Sequence, residues 1–330
     1  MDILIDIVAI LAGFGLLIWS ADLFVLGASA TARNLGISPL VIGLTVVGFG
    51  TSAPEMLVAS IASAGGNPGL AVGNALGSNI TNIALILGIT ALIYPLKIHS
   101  NTLKREYPLL LLATLVATTA VGVDNHLGWV DGLIFALVLL GIMSWIVHQA
   151  LSSRNAAPLE IDPLQQEFEQ EIPAHMPMKE ALIKLLSGFA VLLISSKLLV
   201  WGAINIAIFY GISDLIIGLT IVAIGTSLPE LAASIASARK GEHDIAIGNV
   251  IGSNMFNTLG VLGVAGLINP STLDSDVLSR DLPIMFILTI LLFIMSYGFR
   301  GHGRINRIEG GFLLALFISY EVLLYFSATA

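Results

Sequence analysis

The sequence predicts an all-α integral membrane protein, with ten transmembrane helices arranged as two five-helix repeats of inverted topology. Three observations predict it. Hydrophobic residues make up 56% and charged residues 11% of the 330 residues, and the mean hydropathy is +0.93, which excludes a water-soluble fold with a solvated surface. The apolar residues gather in ten segments, each near the roughly 20 residues that cross a bilayer as a helix. One pattern occurs twice at a constant offset of 175, which relates Glu55 to Glu230, Asn82 to Asn257 and Gly13-Phe14 to Gly188-Phe189.

In chain order the apolar segments run at about 3–25, 39–63, 69–92, 107–123, 127–149, 181–205, 214–237, 245–268, 282–299 and 307–326. Helices are required because backbone groups find no water partner inside the membrane. The first segment starts at Met1-Asp2 without a basic leader and runs past signal-peptide length into Asp22, so it is expected to stay uncleaved as a span. Asp22 and Lys197 occupy equivalent places in the two copies with opposite charge, each near a span end, and read as snorkelling side chains. Spans two and seven carry the motifs Gly50-Thr51-Ser52-Ala53-Pro54-Glu55 and Gly225-Thr226-Ser227-Leu228-Pro229-Glu230. Spans three and eight carry Gly73-Asn74-Ala75-Leu76-Gly77-Ser78-Asn79-Ile80-Thr81-Asn82 and Gly248-Asn249-Val250-Ile251-Gly252-Ser253-Asn254-Met255-Phe256-Asn257. Asp131 and Glu309 open spans five and ten, where a helix dipole favours a carboxylate. Glu321 lies well inside the last span with no counterpart, and reads either as a protonated packing residue or as a proton-sensitive accessory group.

Residues 1–150 form the first repeat, with its motif at about 39–90, and residues 181–330 the second, with its motif at about 214–265. Between them, 151–180 is a polar, acidic linker holding Glu160, Asp162, Glu167, Glu169, Glu171 and Glu180; nothing in it matches an EF-hand loop. An odd number of spans per repeat turns the second copy over, the architecture in which many secondary transporters place a substrate site at the membrane midplane. The net charge of −8 does not orient the chain, but lysine and arginine do. With the N-terminus outside, the cytoplasmic turns hold Arg33; Lys97, Lys104 and Arg105; Arg154, Lys179 and Lys184; Arg239 and Lys240; and Arg300, Arg304 and Arg307, against Arg280 alone outside. Both termini are therefore expected outside a plasma or inner membrane, and the linker in the cytoplasm.

A lone carboxylate in mid-span costs roughly 2.5 kcal/mol or more, and here it is placed twice at symmetric positions with no repeated lysine or arginine to pair with it. Pro54 and Pro229 supply no N–H and push away the carbonyls of Gly50 and Gly225. Thr51 and Glu55 share a helical face, as do Thr226 and Glu230, Ser78 and Asn82, and Ser253 and Asn257. The combined ligand set is all oxygen and suits a hard cation, with calcium favoured over magnesium by its flexible coordination and sodium able to compete for the same oxygens. Zero cysteines remove disulfides and thiolate metal sites. None of His99, His126, His148, His175, His243 or His302 sits at a repeated mid-span position, which disfavours imidazole-preferring metals. The small-xxx-small spacing of Gly73 and Gly77, and of Gly248 and Gly252, also reads as close helix packing, and Ser78, Asn82, Ser253 and Asn257 also suit interhelical hydrogen bonds.

These paired motifs closely resemble the two alpha repeats of the calcium/cation antiporter superfamily, in particular its prokaryotic sodium/calcium exchangers. The resemblance implies calcium ligation by Glu55 and Glu230. It further implies ligands at Thr51, Ser52, Ser78 and Asn82, at Thr226, Ser227, Ser253 and Asn257, and at the backbone oxygens of Gly48 and Ala223. Some relatives, including potassium-dependent exchangers, carry aspartate where this chain has Asn257, so the neutral amide argues against potassium co-transport. The resemblance also implies exchange of three sodium ions for one calcium, with spans one and six sliding past the rest; Gly13, Gly27, Gly188 and Gly202 permit such contacts.

The expected function is electrogenic, potassium-independent calcium/sodium antiport by alternating access. The alternative is calcium/proton antiport at the same site, since the superfamily includes such exchangers. A passive channel fits the inverted repeat and broken helices less well. An intramembrane enzyme lacks a zinc-binding histidine motif or nucleophile-base arrangement, and a pump lacks a nucleotide-binding or phosphorylation domain. The expected partners are calcium and sodium ions and the lipid bilayer, with no cofactor, nucleic acid or obligate protein partner indicated.

Overall fold

The computed structural model describes residues 3–37, 42, 45, 48–99, 101–153, 164, 167, 176–296 and 303–329. Most of the acidic linker, with Glu160, Asp162, Glu169 and Glu171, lies outside these, as do Arg154, Arg300, His175 and His302. Nine of the described helices are long and apolar enough to cross a membrane. The expected span at 39–63 falls partly outside the described residues; within them it consists of α2 (Gly48–Thr51) and α3 (Ala53–Ala64).

α1 (Ile3–Asn34) opens the first repeat, and α4 (Pro68–Ile93), α5 (Asn101–Asp124) and α6 (Trp129–Ser153) follow α3. The second repeat runs α7 (Met178–Tyr210), α8 (214–226), α9 (Leu228–Lys240), α10 (His243–Ile268), α11 (Val277–Ser296) and α12 (Arg307–Thr329). Outward-turned leucines, isoleucines and aromatics such as Leu11, Leu137, Ile194 and Phe326 give the helices an apolar exterior. The most enclosed spans, α4 and α10, carry the repeated asparagine motifs, and their windows are each 78% buried.

The repeat is visible in backbone geometry. Ser52 separates α2 from α3 and Ser227 separates α8 from α9, with φ/ψ of −88°/0° and −86°/4°. Each break is followed at once by a helix with proline in its first turn, where a missing N–H costs nothing. The π-helical segments Thr81–Ile86 in α4 and Phe256–Val261 in α10 also lie 175 residues apart. Short antiparallel strands tie one repeat to the other. β1 (Leu96–Ile98) pairs with β4 (Gly303–Ile305), and β2 (His126–Leu127) with β3 (Ser271–Thr272).

α1 and α7 contain 32 and 33 residues. At about 1.5 Å per residue each spans roughly 48 Å, more than the ~30 Å hydrocarbon core, so each extends past the core or crosses it at a tilt. They lie together through glycines. A Cβ on Gly13 would sit 3.2 Å from Leu199, one on Gly202 2.9 Å from the Asp6 carbonyl, and Gly27 and Gly188 abut the backbones of Leu185 and Phe24. Asn205 Nδ2 donates to the buried Asp6 carboxylate at 2.8 Å across the same contact. α4 packs on α8 in the same way, through Gly73, Gly77 and Gly218. Gly252 differs from its counterpart Gly77: no described atom lies within 4 Å of a Cβ placed there.

Asp131 and Glu309 are helix-terminal residues, as read from the sequence. Asp131 Oδ2 accepts from Gly128 N at 2.9 Å, and Glu309 Oε2 accepts from Asn306 N at 2.7 Å while Asn306 Oδ1 caps Ile308 N and Glu309 N in return. Asp22 and Lys197 are both exposed, but each lies near the middle of its helix rather than near a span end, because α1 runs on to Asn34 and α7 to Tyr210.

Candidate cation-binding site

The two Gly-Thr-Ser-x-Pro-Glu breaks meet α4 and α10 at the centre of the bundle. Each glutamate falls in the first turn of a restarted helix, where the dipole favours negative charge, and each threonine ends the preceding helical turn. Glu55 and Glu230 are both 0% exposed, as are Ser52, Ser78, Asn82, Thr226, Ser253 and Asn257. Ser227 and Thr51 are nearly so, and the backbones of Gly48 and Ala223 are buried beside them.

The contacts cross between repeats. Ser227 Oγ of the second repeat donates to Glu55 Oε1 of the first at 3.5 Å. Thr51 Oγ1 lies 3.3 Å from Ser253 Oγ, which donates to Glu230 Oε1 at 3.4 Å. Thr51 Oγ1 also lies 3.3 Å from the Gly48 carbonyl, and Thr226 Oγ1 3.4 Å from the Ala223 carbonyl. The structure thus draws these residues into two buried clusters that each join the two repeats, Ser227 with Glu55 in one and Thr51 with Ser253 and Glu230 in the other, with Thr226 and Ala223 beside the first and Gly48 beside the second. Ser52 at the first break, and Ser78, Asn82 and Asn257 on α4 and α10, are buried too, with no hydrogen bond among the described residues joining them to these clusters.

Their polar atoms are nevertheless informative. Ser52 Oγ, Glu55 Oε2, Ser78 Oγ, Asn82 Oδ1, Glu230 Oε2 and both Asn257 amide atoms are buried without a hydrogen-bond partner among the described residues. Unpaired buried polar atoms are costly, and carboxylates most of all. All but one of these atoms are oxygens, the donor chemistry of a hard cation, and two of them belong to carboxylates. Among the described residues no group of three or more His, Cys, Asp or Glu side chains is placed to hold a metal, so the set differs from an imidazole or thiolate centre. Glu321 Oε1 is buried without a hydrogen-bond partner among the described residues, while its sequence neighbour Tyr320 donates its hydroxyl to Asp281 Oδ1 at 2.8 Å.

Two residues of the repeated motifs were missed as site components on sequence grounds. Asn74 Nδ2 donates to the Glu55 main-chain oxygen at 3.1 Å, and Asn249 Nδ2 to the Glu230 main-chain oxygen at 3.4 Å. Their positions at the 175-residue offset were the available signal. A second asparagine layer lies next to them: Asn82 Nδ2 donates to Asn254 Oδ1 at 3.0 Å, and Asn254 Nδ2 to the Asn79 carbonyl at 3.3 Å.

A multi-pass helical protein whose inverted repeats meet at a buried, all-oxygen, doubly acidic site is a secondary carrier of cations. The chain belongs to the sodium/calcium exchanger family: the profile described as "Sodium/calcium exchanger protein" matches residues 5–147 and 180–326. It is an antiporter of that class and not an enzyme. Among its relatives, the putative antiporter CaxA of Alkalimonas amylolytica is 49% identical over 98% of this chain and 100% of its own length. The inner membrane protein YrbG of Escherichia coli is 40% identical over 94% of this chain and 95% of its own, and the sodium/calcium exchanger MaX1 of Methanosarcina acetivorans 31% over 98% and 99%. The fold is similar to the sodium-calcium exchanger NCX_Mj soaked with sodium and strontium, with a TM-score of 0.66 at 33% identity, covering 96% of this chain and 97% of that one.

Proposed function

We propose that this chain exchanges intracellular or extracellular calcium for sodium at the site between the repeats, by alternating access. The observation that carries the proposal is the pair of fully buried glutamates, each with one carboxylate oxygen lacking a protein partner, surrounded by hydroxyl, amide and carbonyl oxygens. The proposed ligands are Glu55, Glu230, Thr51, Ser52, Ser78, Asn82, Thr226, Ser227, Ser253 and Asn257, with the Gly48 and Ala223 carbonyls. Two carboxylates neutralise one calcium ion. Sodium ions distributed over the same oxygens would displace it, and competition of that kind couples the two fluxes. A sequence relative and a structural one bear the matching names: MaX1 and NCX_Mj are both called sodium/calcium exchangers.

The proposed potassium independence is supported by the neutral Asn257, where the resemblance places aspartate in potassium-dependent exchangers. The sodium/potassium/calcium exchanger 2 of Gallus gallus matches only 38% of this chain. Exchange of three sodium ions for one calcium would carry one net charge, to which the membrane potential contributes about 2.3 kcal/mol per 100 mV. On this reading residues 1–150 and 181–330 are the two five-helix repeats, joined by the cytoplasmic linker at 151–180, and both termini face out of a plasma or inner membrane.

Access would change by sliding of the α1–α7 pair against the site. Phe14 on α1 covers Gly225 at the second break, whereas Gly50 at the first is covered by Val25 rather than by Phe189, the counterpart of Phe14. The reverse state would exchange these covers. The test is calcium-45 uptake into sodium-loaded proteoliposomes diluted into choline or potassium buffer, with a separate arm driven by a pH gradient. Uptake that requires internal sodium and proceeds in choline is expected. Uptake driven by the pH gradient alone would move the function to calcium/proton antiport.

A further inference from the structure

We infer that Asn74 and Asn249 are positioning residues that set the hydroxyl orientation of the opposite repeat's threonine and thereby keep a backbone oxygen available to the cation. The inference rests on the exchange reading above and adds to it two residues that touch no proposed cation.

Each asparagine makes the same two-sided contact. Asn74, 0% exposed on α4, donates through Nδ2 to the Glu55 main-chain oxygen at 3.1 Å and accepts through Oδ1 from Thr226 Oγ1, also at 3.1 Å. Asn249 on α10 donates to the Glu230 main-chain oxygen at 3.4 Å and accepts from Thr51 Oγ1 at 3.3 Å. Each side chain therefore grips the glutamate turn of its own repeat and the threonine of the other. Only a carboxamide offers a donor and an acceptor on one short planar group, which neither aspartate nor leucine can reproduce.

The threonine proton decides what the cation sees. A hydroxyl has one proton to give and lone pairs to offer. Thr226 has two acceptors within reach, Asn74 Oδ1 at 3.1 Å and the Ala223 carbonyl at 3.4 Å. Given to Asn74, the proton points away from the site, which leaves both the Thr226 lone pairs and the Ala223 carbonyl for a cation. Without Asn74 the proton falls to Ala223 and removes one of those oxygens. Thr51 has three acceptors within reach, Asn249 Oδ1, the Gly48 carbonyl and Ser253 Oγ, each at 3.3 Å, and giving its proton to Asn249 likewise keeps the Gly48 carbonyl for a cation. Because the contacts cross, each half of the site is prepared by the other repeat.

The test is a double-mutant cycle in proteoliposomes, reading sodium-driven calcium-45 uptake. Asn74→Leu removes both the bond from Thr226 and the one to the Glu55 main-chain oxygen, and is expected to raise the calcium KM about tenfold and to change kcat much less. In a Thr226→Ala background the same substitution should change KM by less than about twofold, because the hydroxyl it orients is gone. Multiplicative KM effects, or a kcat loss at constant KM, would overturn the inference and leave a packing role. Should Asn74→Leu fail to fold, Asn249→Leu in a Thr51→Ala background runs the same cycle at the less buried copy. Wild-type protein that shows no sodium-driven uptake would instead overturn the exchange reading, so the two failures are distinct.

Discussion

Replacing Glu230 by glutamine removes one of the two buried charges and little else. Glu230 is 0% exposed, its Oε1 accepts from Ser253 at 3.4 Å, and its Oε2 has no partner among the described residues. Glutamine is nearly isosteric and keeps the oxygen to which Ser253 donates, so the packing survives. What is lost is attraction to the cation. Even a unit charge at about 4 Å contributes roughly 4 kcal/mol at an effective dielectric near 20. At about 1.4 kcal/mol per tenfold, calcium affinity should fall by about three orders of magnitude. The cation-free protein should melt no lower than the parent, because one of two uncompensated buried charges has been removed. Calcium titration by calorimetry in detergent, paired with a thermal melt in sodium- and calcium-free buffer, reads both quantities. A Glu230→Gln variant that binds calcium within tenfold of the parent would refute the assignment of this carboxylate as a ligand. Glu55→Gln should behave alike.

Three further substitutions probe other parts of the account. A Cβ on Gly225 would fall inside the Phe14 ring, so Gly225→Ala should cut exchange at least about tenfold and Phe14→Ala should partly restore it; normal uptake in Gly225→Ala would contradict the covering contact. Asn205→Leu would leave the buried Asp6 carboxylate without its donor at the α1–α7 contact, with an expected loss of about 1–3 kcal/mol seen as a lower Tm, and an unchanged Tm would count against that bond as a stabilising one. Glu167, on the segment between the repeats, accepts from Ile245 N at 2.7 Å, and burial, followed by the Asp244 and Glu242 charges, pushes its carboxyl up to about 7. A raised folded-state value means that protonation favours the fold, so the charged form weakens it progressively as pH rises from the ordinary carboxylate value to about 7. Glu167→Gln should therefore melt higher than the parent above neutrality, with the gap closing near pH 5; an equal gap at both pH values would refute this.

Much of the fold was legible because membrane insertion imposes strong one-dimensional rules. Span length, the proline breaks and the repeat offset placed both glutamates, and their burial followed from the symmetry. The span limits were less exact. α1 runs on to Asn34 and α7 to Tyr210 because the helical hydrogen-bond ladder continues through less apolar residues past the stretch that hydropathy marks. The π-helical segments at Thr81–Ile86 and Phe256–Val261 left no sequence signature, since an extra residue per turn is accommodated by tertiary contacts. The strand pairs across repeats were invisible for the same reason, each being only two or three residues long. Asn74 and Asn249 stood in plain view inside the motifs, but their function depends on which main-chain atom each faces. The glycine pattern was half right: Gly73 and Gly77 pack tightly against α8, while Gly252 meets no described atom.

The central claim is that one buried site holds calcium and sodium in competition. Equilibrium calcium-45 binding to the purified, detergent-solubilised protein, titrated with sodium chloride at constant ionic strength, tests it most directly. The account predicts one calcium per chain, displaced completely by sodium with a Hill coefficient above one, and lost in both Glu55→Gln and Glu230→Gln. Calcium that stays bound at saturating sodium, or that survives loss of both glutamates, would contradict it.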